Sequence, residues 1–222
     1  MALIDRFRRR AIRERDIRDR ATAGAFIDEQ SFHLAQACVQ DYSRLRAGDR
    51  AAALLAEPSF AAALDKACWE AYPIALTTVG TIVESLLRPH ASENSLAVRF
   101  GLIAMILENF DRRPVPAAIG DVDWRAARAD LERSLSDLAR QRPKAADAVV
   151  QDHSSFYLAI MPLHPKLASD DFPALRNQLK FALLLIQEAF VQRADLPALA
   201  GELATPVPKA EASVAESEVR LD

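Results

Sequence analysis

The stretch from Pro73 to Glu108 constrains this chain most: two apolar segments, IALTTVGTIVESLL and LAVRFGLIAMILE, are separated by the turn sequence RPHASENS. Read at 100° per residue, Ala75, Leu76, Val79, Ile82, Val83, Leu86 and Leu87 share one arc. Thr77, Thr78, Gly80, Thr81, Glu84 and Ser85 fill the other. A water-facing helix surface ordinarily carries Lys, Glu, Arg or Gln, because Thr and Gly are weak helix formers and gain little from exposure. The second arc is small and nearly uncharged, so it is expected to be covered. In the following segment Ala97, Gly101 and Ala104 make a shallow groove, and the expected arrangement is a helical hairpin packed small face to small face. Glu84 and Arg99 are the two charges inside these runs, and the desolvation cost of an isolated buried charge predicts that they meet.

A core of this kind needs chain length and apolar content to close around it. The chain has 222 residues, half of them apolar, with six glycines and 12 prolines. The expected fold is all-α: a single multi-helix bundle of about 7–9 helices around the central apolar hairpin. Its expected divisions are a basic amphipathic N-terminal helix over 1–22, the bundle over 23–203 with a subdivision at the Pro- and Gly-containing loop 111–122, and a disordered tail over 204–222. The formal net charge of −3 excludes a strong whole-molecule pull toward nucleic acid or anionic lipid. Cys38 and Cys68, each in apolar helical context, read as reduced thiols and point to a reducing cytoplasm. No secretory leader is expected from the arginine-rich start, and the apolar runs fall short of a bilayer span.

Residues 2–20 hold eight arginines and four acids, a local excess of +4. Leu3, Ile4, Phe7 and Ala11 share a face. Three readings compete for this segment: a solvated or partner-docking helix, an anchor peripheral to a membrane surface, and a contact to nucleic-acid phosphates. The interleaved acids and the lack of a recognition motif make nucleic acid the weakest. Arg6, Arg9, Arg10 and Arg13 are accordingly the candidates for binding a partner or an anionic surface.

Farther along, Phe26 to Leu45 reads as a helix bearing His33 beside its apolar stripe. Phe60 to Tyr72 reads as another, ended or kinked by Pro73. The segment from Asp123 carries the stripe Trp124, Ala127, Leu131, Leu135 and Leu138, and Lys144 to Ile160 continues the helical pattern. The sequence MPLHPKLASDDFP reads as a bend before a last long helix, Pro173 to Arg193. Its FALLLI run is apolar all round and is expected to pass through the middle of the bundle. Arg176, Lys180 and Gln187 line a polar strip there, and Glu188 follows on an otherwise apolar side.

No metalloprotease, Cys-x-x-Cys, phosphate-loop or nucleophile-elbow motif is present. His33, His90, His153 and His164 have no ligand spacing among themselves, so neither a metal nor a cofactor is expected. The leading functional expectation is a non-enzymatic cytoplasmic protein that binds a protein partner or itself, as an adaptor or assembly factor near a membrane surface. The alternatives are a small-molecule or lipid pocket drawing on Glu84, Arg99 and Glu188, and an enzyme with an unrecognised site.

Overall fold

The computed structural model describes residues 15–91, 94–138, 142–162 and 165–205, with backbone alone over 165–171. Among these the chain is helical nearly throughout: α1 (Arg20–Gln36), α2 (Tyr42–Ala47), α3 (Ala51–Ala56), α4 (Pro58–Leu87), α5 (Ser95–Arg112), α6 (Asp121–Leu138), α7 (Ala146–Ile160), α8 (Pro165–Arg193) and α9 (Leu196–Ala204). A single π-turn, Ala37–Asp41, joins α1 to α2.

The axis of the bundle is α4. Pro58 opens it at a position where the missing N–H has no helical partner to lose. Pro73 does not break the helix as expected: α4 runs on for 30 residues through it. One missing backbone bond is outweighed by burial on both sides of the proline, with Ala71, Tyr72, Ala75, Leu76 and Val79 each wholly inaccessible. The small, uncharged face is indeed covered, since Thr78, Gly80 and Thr81 are buried.

What covers it differs from a simple hairpin. A Cβ on Gly80 would press against Ile106 of α5 and Leu135 of α6. The Ala97–Gly101–Ala104 groove does not face α4. It receives α9, and a Cβ on Gly101 would collide with the Leu203 carbonyl. Arg20 stitches the same place together, its guanidinium donating to the carbonyls of Gly101, Leu203 and Thr205.

Glu84 and Arg99 do meet, at 3.2 Å, and Arg88 joins them at 2.7 Å. The carboxylate is almost fully withdrawn from water, and two guanidiniums at the rim offset that desolvation.

The hydrophobic core is continuous across the 111–122 loop. Phe110 before it stacks on Trp124 after it, ring centroids 4.2 Å apart. Gly120 takes φ 79 to turn the chain into α6, and its carbonyl accepts from the Trp124 amide.

The basic N-terminal helix expected over 1–22 lies mostly outside the described residues, including Arg6, Arg9, Arg10 and Arg13. Its described residues before Arg20, 15–19, are not helical. Ile17 is 1% exposed and pairs with the chain beyond α8: its amide donates to the Arg193 carbonyl and its own carbonyl accepts from Asp195. Asp16 takes both nitrogens of the Arg193 fork. Helix α1 then starts at Arg20 on an Asp19–Thr22 capping box. The tail expected over 204–222 likewise lies outside the described residues beyond Thr205.

Two further expectations about α8 change. It begins at Pro165 and absorbs Pro173, so most of the expected bend is helical. Nor is it central. Leu175, Leu179, Ala182, Leu183, Ile186 and Phe190 are wholly buried, yet Phe181 is 67% exposed, with Leu184 and Val191 also open. The FALLLI run has one face in the core and one in water. No described helix is long and apolar enough to cross a membrane.

Candidate functional site

Three helices each contribute one stripe to a cleft of about 530 Å³. From α4 come Ile74, Thr77 and Thr81, spaced three and four apart. Asp130, Ser134, Asp137 and Leu138 come from α6, and Asp152, His153 and Phe156 from α7. Lys144, in the connection before α7, closes one side. Such spacings place each set on a single helix face.

The proton positions follow from the hydrogen bonds. Thr77 donates to the Pro73 carbonyl at 3.1 Å and Thr81 to the Thr77 carbonyl at 2.7 Å. Both hydroxyl protons are turned back into α4, so toward any other group each oxygen can act only as an acceptor. Thr78 does the same, donating to the Ile74 carbonyl at 2.7 Å. A carbonyl can only accept, so the 2.7 Å contact between Thr78 Oγ1 and His153 Nδ1 has the ring nitrogen as donor. Tyr157, 3.3 Å from the same oxygen, donates as well. This assignment, with the Thr78 proton on the Ile74 carbonyl, gives the tautomer in which His153 carries its proton on Nδ1 and keeps a lone pair on Nε2.

Burial pushes the His153 imidazole down to about 4, opposed by Asp152 and assisted by Lys144. The ring is therefore neutral at neutral pH. Lys144 and Asp152 pair at 2.7 Å, and the Lys144 amide donates to Ser85 Oγ at 3.0 Å, which ties the connection to α4. Asp130 is held by Arg133 one turn on. Phe156 stands at the rim, 55% exposed and edge-on to His153.

The residues singled out in the sequence lie elsewhere. Glu84 and Arg99 form the ion cluster beside Arg88, and Glu188 faces solvent on the outer side of α8, accepting from Gln192 at 3.0 Å. A smaller hollow of about 240 Å³ does lie between α4 and α8, but Ser85, Leu86 and Gln187 line it. His90 is exposed in the turn after α4, and His164 lies outside the described residues. Both cysteines are free and buried, and burial pushes the Cys68 thiol up to about 12, so neither offers a thiolate. Among the described residues no group of His, Cys, Asp and Glu is disposed to hold a metal ion.

Sequence reasoning named His153 as a histidine without ligand spacing and Thr77, Thr78 and Thr81 as an uncharged face, but did not bring them together. The available signal was the uncharged Thr face of α4, which announced that something other than water lay against it. Comparison with known proteins finds no family model, no curated relative and no solved structure that matches the chain. The site therefore speaks through its own chemistry.

Proposed function

We propose that this chain is a small-molecule-binding helical bundle whose site is the cleft between α4, α6 and α7. The observation that carries the reading is His153: a half-buried, neutral imidazole, held at Nδ1 by Thr78 and lining a cleft with apolar and polar sides. Binding is favoured over turnover because no hydroxyl in the cleft gives its proton to His153. A base without an adjacent nucleophile orients a ligand more readily than it activates a side chain.

The test is a fragment screen by protein-observed NMR on the full chain, followed by Ser134→Trp, which plugs the cleft from the exposed side of α6. Fragments should shift Ile74, Leu138 and Phe156 in the wild type and not in S134W. Hits that leave those three unmoved would remove the cleft as the site.

The outer face of α8 supports a second reading, association with a protein or with another copy. Phe181, Leu184 and Val191 form an apolar stripe with Glu188 among them. If this stripe associates with itself, F181E/V191E will convert a concentration-dependent oligomer to a monomer in sedimentation. A wild type that is monomeric at all concentrations removes self-association.

A further inference from the structure

We infer that the cleft takes an organic ammonium ion: a protonated amine attached to a short apolar or aromatic body. This rests on the reading of the cleft as a binding site and adds the class of ligand.

The inference comes from counting which polar groups remain to meet a ligand. Thr77 and Thr81 give their protons to carbonyls of α4, so toward the cleft they act as acceptors. His153 gives its proton to Thr78, whose own proton goes to Ile74, so Nε2 is an acceptor too. Asp130, Asp137 and Asp152 are acceptors only. Among the described residues Lys144 is the one cationic donor lining the cleft, and it sits on Asp152; Arg133 sits on Asp130. Among the described residues the surplus carboxylate is Asp137. Among the described residues a ligand that accepts hydrogen bonds would meet as donors the Ser134 hydroxyl and the remaining protons of Lys144, whose charge is already shared with Asp152. One that donates several, and carries positive charge, meets two hydroxyl oxygens, an imidazole nitrogen and a carboxylate.

The apolar lining fixes the rest of the ligand. Ile74 and Leu138 offer aliphatic wall, and Phe156 presents an accessible ring at the mouth. An aromatic ring accepts a cation on its face or an apolar group on its edge. An inorganic cation would leave this surface unused, and the volume exceeds what a bare ion needs.

Three probes that share a ring and a two-carbon chain separate the claims: 2-phenylethylammonium, 2-phenylethanol and 3-phenylpropionate, each titrated into the full chain at neutral pH. Calorimetry gives affinity, and the resonances of Ile74, Thr77, Thr81 and the His153 ring give location. We expect the ammonium to bind about tenfold or more tightly than the alcohol, and the carboxylate most weakly. Asp137→Asn, an exposed position that leaves the core untouched, should weaken the ammonium several-fold and leave the alcohol unchanged. S134W should abolish the shifts for all three. If the carboxylate binds best, or all three bind alike with shifts in the cleft, the ammonium class is wrong and the cleft stands. If no probe moves a cleft resonance, both fall.

Discussion

Two polar nodes are built on α4 two turns apart, and they have opposite constructions. At Tyr72 the node is closed. The Arg113 guanidinium sends Nε and Nη2 to the two oxygens of Asp28, at 3.0 and 2.8 Å, and Nε also reaches the Tyr72 hydroxyl at 2.9 Å. Tyr72 in turn donates to Asp28. Rings wall it in: Arg113 lies 4.9 Å from the centroid of Phe32 and 4.7 Å from that of Tyr72, and Trp69, Phe110 and Trp124 complete an aromatic cluster around the tyrosine. Arg113 Nε and Nη2 and the Tyr72 hydroxyl all find acceptors within the node, and the phenol is pushed well above its usual range by burial and by Asp28. At Thr78 the node is open. Its protons are also all assigned, but the assignment ends on a nitrogen lone pair at the wall of a cleft. The first arrangement holds helices together; the second holds one side chain in readiness.

The largest expected effect belongs to the closed node. Arg113→Ala leaves Asp28 without its cation, a carboxylate about a quarter exposed, and removes two cation–π contacts. Partly buried pairs lie below the range for fully buried ones, so a loss of ~3 kcal/mol is expected. For a chain of this size that is about 6–12 °C in Tm. A fall of less than about 3 °C in a thermal melt would mean that the node is not structural.

Thr78→Val should cost less, ~1–2 kcal/mol, because it deprives His153 Nδ1 and the Tyr157 hydroxyl of an acceptor but keeps the volume of the site. Its sharper signature is in the ring: with its clamp gone, His153 should populate both tautomers, visible in the imidazole nitrogen shifts. Unchanged shifts would show that Thr78 does not set the tautomer.

The two nodes also differ in how far the sequence announces them. Helical periodicity placed the core side of α4, the α6 stripe of Trp124, Leu131, Leu135 and Leu138, and the all-α class, because burial of one helix face is a local property of spacing. The cost of burying charge paired Glu84 with Arg99 across a short turn. Asp28 with Arg113 and Thr78 with His153 are 85 and 75 residues apart. Nothing local records such a pairing, and a threonine on a helix reads the same whether its oxygen meets water or an imidazole. Docking of α9 into the Gly101 groove was illegible for a similar reason. The groove's shape is local, but its occupant depends on where the chain returns.

The open node predicts a pH dependence of stability below neutrality. The folded-state pKa of His153 lies below its ordinary value, at about 4 against 6.5. At pH 7 the ring is neutral in both states and contributes no difference. As pH falls through 6.5 the unfolded chain takes up a proton that the folded chain refuses, so stability is lost between about pH 6.5 and 4 and changes no further through this group below that. The full shift corresponds to ~3 kcal/mol, and solvent at the cleft reduces it to ~1–2. Chemical denaturation of wild type and His153→Gln across this window should give curves that converge as pH falls. Parallel curves would mean that His153 titrates normally and that its environment is wetter than the cleft implies.

Lys144→Met should have the smallest effect on folding and the most informative one on binding. The Lys144–Asp152 pair has a quarter-exposed ammonium and a carboxylate about half exposed, and pairs of that kind are worth ~0–1 kcal/mol. The tie from the Lys144 amide to Ser85 belongs to the backbone and survives the substitution. Stability should therefore change by less than ~0.5 kcal/mol, while the cleft loses its lining cation and gains a released carboxylate at Asp152. If the cleft selects by charge, 2-phenylethylammonium should bind K144M several-fold more tightly, and the gain should shrink as salt is added. A loss of affinity in K144M would mean that Lys144 itself contacts the ligand.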